Sequence, residues 1–122
     1  MTVPGRRSER VAQQIREDIS ALLAGGLKDP RIGFATITQV RVTADLRQAF
    51  VFVSVLGERK EKQATLEGFR AAKGYIRREL AHRLTMRRVP ELSFELDETA
   101  EYSARIEELL RESKAKEEPS DE

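Results

Sequence analysis

LEGFRAAKGYIRRELAHRL, residues 66–84, is the stretch on which the fold turns. Wound as one straight helix at about 100° per residue, it gathers Leu66, Phe69, Ile76, Leu80 and Leu84 within an arc of roughly 80°. Lys73 falls inside the same arc. An unpaired ammonium is costly to bury, so a straight rod requires Lys73 to snorkel or the axis to break. Gly74 is where a break costs least, because glycine in a helix interior costs about 1 kcal/mol relative to alanine and its freedom is useful at a junction. The spacing therefore predicts two consecutive helices. The second begins with open backbone N–H groups and a positive dipole end, beside Arg70, Lys73, Arg77 and Arg78, a geometry suited to phosphate. From Arg70 to Arg88 there are seven arginines or lysines and one acid, Glu79, a local charge of +6 in which only Arg83 has an acid at i,i+4 spacing within the helices.

Working outward, residues 1–7 read as a basic arm containing Arg6 and Arg7. Ser8 stands as a helix N-cap, followed by Val11, Ile15, Ile19, Leu22 and Leu23 at helical spacing and a stop at Gly25 and Gly26. Asp29, Pro30, Arg31 and Gly33 predict a turn. Residues 34–43 are rich in β-branched side chains, but Ala35 and Ile37 share one parity and Val40 and Val42 the other, which predicts a bulge near Gln39. Ala44 to Leu46 make a short connection to a strand with two largely apolar faces, Ala49, Val51, Val53 and Val55 against Phe50, Phe52 and Leu56, paired antiparallel to the first and well buried. After the bent helical region, Leu92, Phe94 and Leu96 alternate with polar residues as a third strand. Tyr102, Ile106, Leu109 and Leu110 have helical spacing with Thr99 as a cap, and residues 111–122 read as an acidic, disordered tail. Residues 8–110 form the expected domain.

At 122 residues, one domain with an ordinary core is affordable without disulfide or metal, and the chain has no cysteine. No apolar run approaches the length of a membrane span and the N-terminal residues do not resemble a signal peptide, so a soluble cytoplasmic protein is expected. The net charge of +1 conceals an asymmetry. Residues 91–122 carry 12 acidic against four basic side chains, a net −8, while residues 1–90 carry 18 basic against nine acidic, a net +9. The basic part suits a polyanion partner; a solvated surface with a solubilising tail is the alternative.

Catalysis has no constellation to rest on. His82 is the only histidine, lies off the apolar stripe and has no acid at triad or metal-ligand spacing. Glu107 and Glu108, and Asp97 and Glu98, read as exposed charge, and no glycine-rich nucleotide loop occurs. No metal, cofactor or small-molecule substrate is expected. Phe50 and Phe52 have strand spacing and read as core before they read as a base-stacking platform.

The order helix, strand, strand, helix, kink, helix, strand is similar to a type II KH domain: an α+β fold with helices packed on one face of a three-stranded sheet. The GXXG of that fold is missing; Ala72-Lys73-Gly74 stands in its place. With Arg10-Val-Ala, Lys28-Asp-Pro-Arg-Ile-Gly33, the run from Val40 to Leu46, Ala49 to Gly57, Ile76-Arg77, and Arg87 to Leu92 followed by Phe94 and Asp97, the chain resembles the bacterial ribosome-binding factor A family over about residues 6–110. The resemblance implies a monomeric, non-catalytic assembly factor that binds the free small (30S) ribosomal subunit and 16S rRNA. It further implies a part in late maturation of that rRNA, including its 5′ end, and in cold adaptation. It implies a kink at Ala72, Lys73 and Gly74 and an RNA-facing surface of Arg70, Lys73, Gly74, Arg77, Arg78, Arg87 and Arg88, with Arg31 and the Arg6, Arg7 and Arg10 group as further contacts. Two other readings compete: a module for messenger or small RNA, and a protein-interaction domain using the sheet edge and the acidic C-terminal segment.

Overall fold

A computed structural model of the chain describes residues 5–25, 27, 31–32, 35–84 and 86–117. The elements are α1 (Arg6–Ala24), β1 (Ala35–Val42), β2 (Gln48–Val55), α2 (Arg59–Ala71), α3 (Lys73–Arg83), β3 (Glu91–Leu96) and α4 (Thr99–Glu117). The sheet runs β1-β2-β3, with β1 antiparallel and β3 parallel to β2. Helices α1, α2 and α3 pack on one face of it. This is the α+β, type II KH-like arrangement, with α4 appended. Residues 1–4 of the expected arm, the stop at Gly26, the turn at Asp29, Pro30 and Gly33, the strand start at Phe34 and residues 118–122 of the expected tail lie outside the described residues.

The parity slip in β1 is a bulge. Ile37 pairs with Val53 and Gln39 with Phe52, so Thr38 is left without a partner residue. Through this one-residue step, Ala35 and Ile37 before it and Val40 and Val42 after it all turn toward the core. The Thr38 hydroxyl donates to Asp97 Oδ2 at 2.6 Å, and Asp97 Oδ1 accepts the Thr99 N–H at 2.9 Å, so the bulge also anchors the root of α4. Asp97 is thus a half-buried hub rather than loose strand-end charge, and its carboxyl is held below the usual range by these bonds, Thr38 first.

The bent helix follows the stripe that predicted it. Leu66, Phe69, Ile76, Leu80 and Leu84 are all buried, and Phe69 stacks on Phe94 with ring centroids 5.2 Å apart. The break falls at Ala72, whose ψ of 1° departs from the helical value. Its N–H still donates to Gly68 O at 3.0 Å, and its carbonyl accepts from the Ile76 N–H at 2.9 Å. Gly74 lies in the first turn of α3 with open space where a Cβ would stand. The axis therefore turns through an ordinary alanine in the bridge region, and glycine's freedom is not what breaks it.

Other expectations change in α1, α4 and β2. Ser8 is inside α1, because Gly5 occupies the cap; its hydroxyl donates back to Gly5 O at 2.8 Å. Arg6 and Arg7 accordingly belong to the first turn of α1 rather than to an arm. The segment from residue 111, expected as a disordered tail, is helical through Glu117, with Thr99 the first helical residue and not the cap. On β2 only the face of Ala49, Val51, Val53 and Val55 is fully buried; Phe50 and Phe52 lie half-buried on the other. A sheet covered by helices on one side produces this asymmetry.

Gly68 has a role no local pattern announced. A Cβ there would come within 2.8 Å of Ile32 Cγ1 and 3.1 Å of Arg31 Cβ, and Thr65 Oγ1 one turn earlier donates to Arg31 O at 3.1 Å. The backbone around residues 31–32 is seated directly on α2. Gly68→Ala should therefore destabilise the fold by about 1–3 kcal/mol through overpacking, despite alanine's better helix propensity, and urea unfolding would measure it. A stabilised variant would show that this approach is not tight.

Candidate nucleic-acid interface

Arg70, Lys73 and Arg77 follow one another along the side of α2 and α3 that faces β3. In the parallel pairing the odd residues of β3 turn their backbone groups to β2, as in Glu91 N–H donating to Arg47 O and Asp97 N–H to Val53 O. The even residues turn theirs to the unpaired margin. There Arg70 Nη2 donates to Phe94 O at 3.5 Å and Lys73 Nζ to Leu92 O at 3.4 Å, and Arg77 Nη2 reaches Val89 O at 3.4 Å just before the strand. The cationic row thus covers the edge of the sheet with donors.

The same row meets one acid. Glu91 Oε2 lies 3.0 Å from Lys73 Nζ, and Oε1 lies 3.4 Å from Arg77 Nη1. Its carboxyl is held below the ordinary range, by the Lys73 hydrogen bond first and then by the charges of Lys73 and Arg77. The partner missing from the helix's own i,i+4 positions is supplied from 18 residues away by the sheet. The lysine that the bend turns outward is therefore engaged within the chain and only partly presented to solvent.

A second cluster lies at the end of the sheet. Arg7 of α1, Arg47 of the β1–β2 turn, Arg77 of α3, and Arg87 and Arg88 of the α3–β3 connection line one cleft of about 510 Å³, together with Leu46, Met86, Val89, Asp45 and Glu91. Arg10 lines an adjoining recess with Arg7, Arg83 and Met86. Arg83 also pairs with buried Asp18 of α1, at 3.9 Å. Arg78 is exposed on α3 with no ion pair among the described residues, and Arg6 is exposed at the start of α1. Arg31 sits apart from both clusters, against α2. The basic residues expected in the site thus fall into the row, the cleft with its recess, and the outlying Arg6, Arg31 and Arg78. Arg47 and Glu91 were missed. Arg47 directly follows a turn read only as a connection, and Glu91 carries no local signal.

This basic flank on an α+β frame agrees with the family comparison. The family model for ribosome-binding factor A matches residues 7–110. The chain belongs to this family. A ribosome-binding factor A of Brevibacillus brevis is 45% identical over 116 residues, covering 95% of this chain and 96% of that protein. The crystal structure of ribosome-binding factor A from Thermus thermophilus superposes with a TM-score of 0.65 at 26% identity, over 73% of this chain and 93% of that one. Coordinates of the Thermus thermophilus factor fitted into the electron cryomicroscopy map of a 30S complex align with a TM-score of 0.56 at 27% identity, over 76% and 93%. Among the described residues, no helix is long and apolar enough to cross a membrane.

Within this chain, the Glu91 cluster has a direct spectroscopic signature. The Glu91 carboxyl should titrate below the ordinary glutamate value of 4.5, and Lys73→Met should move its midpoint upward. Because the folded value is depressed, the contribution of the pair is present above the unfolded value and disappears as pH falls through the folded one. Carboxyl ¹³C shifts followed from pH 7 to 2 would check this; a midpoint indifferent to Lys73→Met would rule out a populated pair.

Proposed function

We propose that this protein is a non-catalytic assembly factor that binds the free 30S subunit through 16S rRNA and assists late maturation of that RNA, including its 5′ end, in the cytoplasm and under cold adaptation. It acts as a monomer, without cofactor or small-molecule substrate. The observation that carries the reading is the likeness to the Thermus thermophilus factor fitted into a 30S complex, together with a flank on which seven basic residues between Arg70 and Arg88 face one acid on the same stretch. Guanidinium and ammonium groups replace counterions on RNA phosphates, which gives affinity that falls steeply with salt. Binding one arrangement of the immature subunit more tightly than others then shifts its population, with no bond made or broken.

Arg77 is tied to Glu91 and Val89, so the exposed Arg78 is the cleaner probe. The protein should pellet with free 30S subunits in low salt and release progressively along a salt series. Arg78→Glu should weaken pelleting by roughly tenfold while circular dichroism stays unchanged. Wild-type protein remaining in the supernatant at low salt would overturn the reading. Preferential capture by a free single-stranded oligoribonucleotide in competition would redirect it to a general RNA-binding module.

A further inference from the structure

The cleft at the end of the sheet holds more positive charge than the fold uses. Of its two carboxylates, Glu91 is occupied by Lys73 and Arg77, and Asp45 Oδ1 accepts from the Thr43 hydroxyl at 2.7 Å and the Arg47 N–H at 3.1 Å while its charge also faces that of Arg47, so two acids stand against five arginines. Arg7, Arg47, Arg87 and Arg88 have no ion pair among the described residues, and Nε of Arg77 is buried without a hydrogen-bond partner. Like charges from four separate elements are held around one hollow although each repels the others. The turn that brings Arg47 there is strained: Leu46 has φ of 63°, the left-handed region that a branched side chain seldom adopts. Backbone strain and an excess of positive charge meeting at one place suit an anionic ligand.

We infer that this cleft is a phosphodiester-binding site that holds a turn of RNA backbone, with Arg47 as its principal contact beside Arg7, Arg87 and Arg88. The inference rests on the rRNA-binding reading and names a part of the surface it uses. Two features favour a polymer over a free phosphate. Leu46, Met86 and Val89 give the cleft an apolar wall that ribose faces cover and a small anion leaves wet. The charge also continues on both sides: through Arg7 and Met86 into the recess of Arg10 and Arg83, and through Arg77 toward Lys73. A track of this kind follows successive phosphates.

The test uses the full chain and a ten-nucleotide single-stranded oligoribonucleotide, with filter binding over a salt series and NMR of arginine Nε–Hε groups. Arg47→Glu should lower affinity about tenfold and reduce the slope of log affinity against log salt by about 0.7 for each phosphate that is no longer neutralised. Arg47→Gln should fall between, and Arg111→Glu on α4, an equal charge change outside the cleft, should alter affinity less than twofold. The Arg47, Arg87 and Arg88 resonances should shift on adding the oligonucleotide. The inference is overturned if Arg47→Glu matches Arg111→Glu at unchanged thermal midpoint, or if pyrophosphate alone saturates these resonances at the oligonucleotide's affinity. An intact Arg47 effect without 30S pelleting would sink the ribosomal reading alone; 30S pelleting without an Arg47 effect would sink the cleft alone.

Discussion

The unpaired margin of β3 constrains much of the molecule. A three-stranded sheet with β3 outermost leaves the carbonyls of Leu92 and Phe94 turned away from β2, and a buried acceptor without a donor costs more than a hydrogen bond returns. Meeting them requires basic side chains at the right height along a helix that also sinks Phe69 and Ile76 into the core. One straight axis would place Lys73 in the same arc as that apolar stripe. The turn at Ala72 separates the two demands: Phe69 and Ile76 are fully buried while Lys73 is left at the rim beside Glu91. Bend, edge and cationic row are one solution to one steric problem.

The row therefore has a structural duty. Arg70, Lys73 and Arg77 are structural donors first, so reversing their charge disturbs the sheet margin along with any hold on RNA. The cleft residues Arg7, Arg47, Arg87 and Arg88 have no such internal duty among the described residues, which makes them better reporters of binding. Glu91 stands between the two groups. Its carboxylate occupies Lys73 and Arg77, and on the proposed reading an RNA phosphate would have to compete with it for those cations.

Most of the architecture was legible because it is written in periodicity. The apolar stripe from Leu66 to Leu84 gave two helices, and the parity change between Ile37 and Val40 gave the bulge now seen at Thr38. What escaped were features that depend on distant partners. Glycine's low helix propensity pointed to Gly74 as the break, but the chain turns at Ala72, since a bridge-region ψ needs no special residue. Gly68 matters through its approach to Ile32, and Glu91 through two cations brought to it by the sheet. Among the basic residues, charge density identified the flank, but it could not separate those that hold β3 from those that line the cleft.

The bulge in β1 has a consequence at the other border of the sheet. A strand with one residue out of step is a poor template for a neighbour, and at the far side the carbonyls of β3 are already taken by Arg70 and Lys73. Neither flank invites cross-β growth. A chain whose sheet is closed at both borders is thereby kept from stitching itself to its own copies, which leaves the basic flank open to the RNA proposed for it.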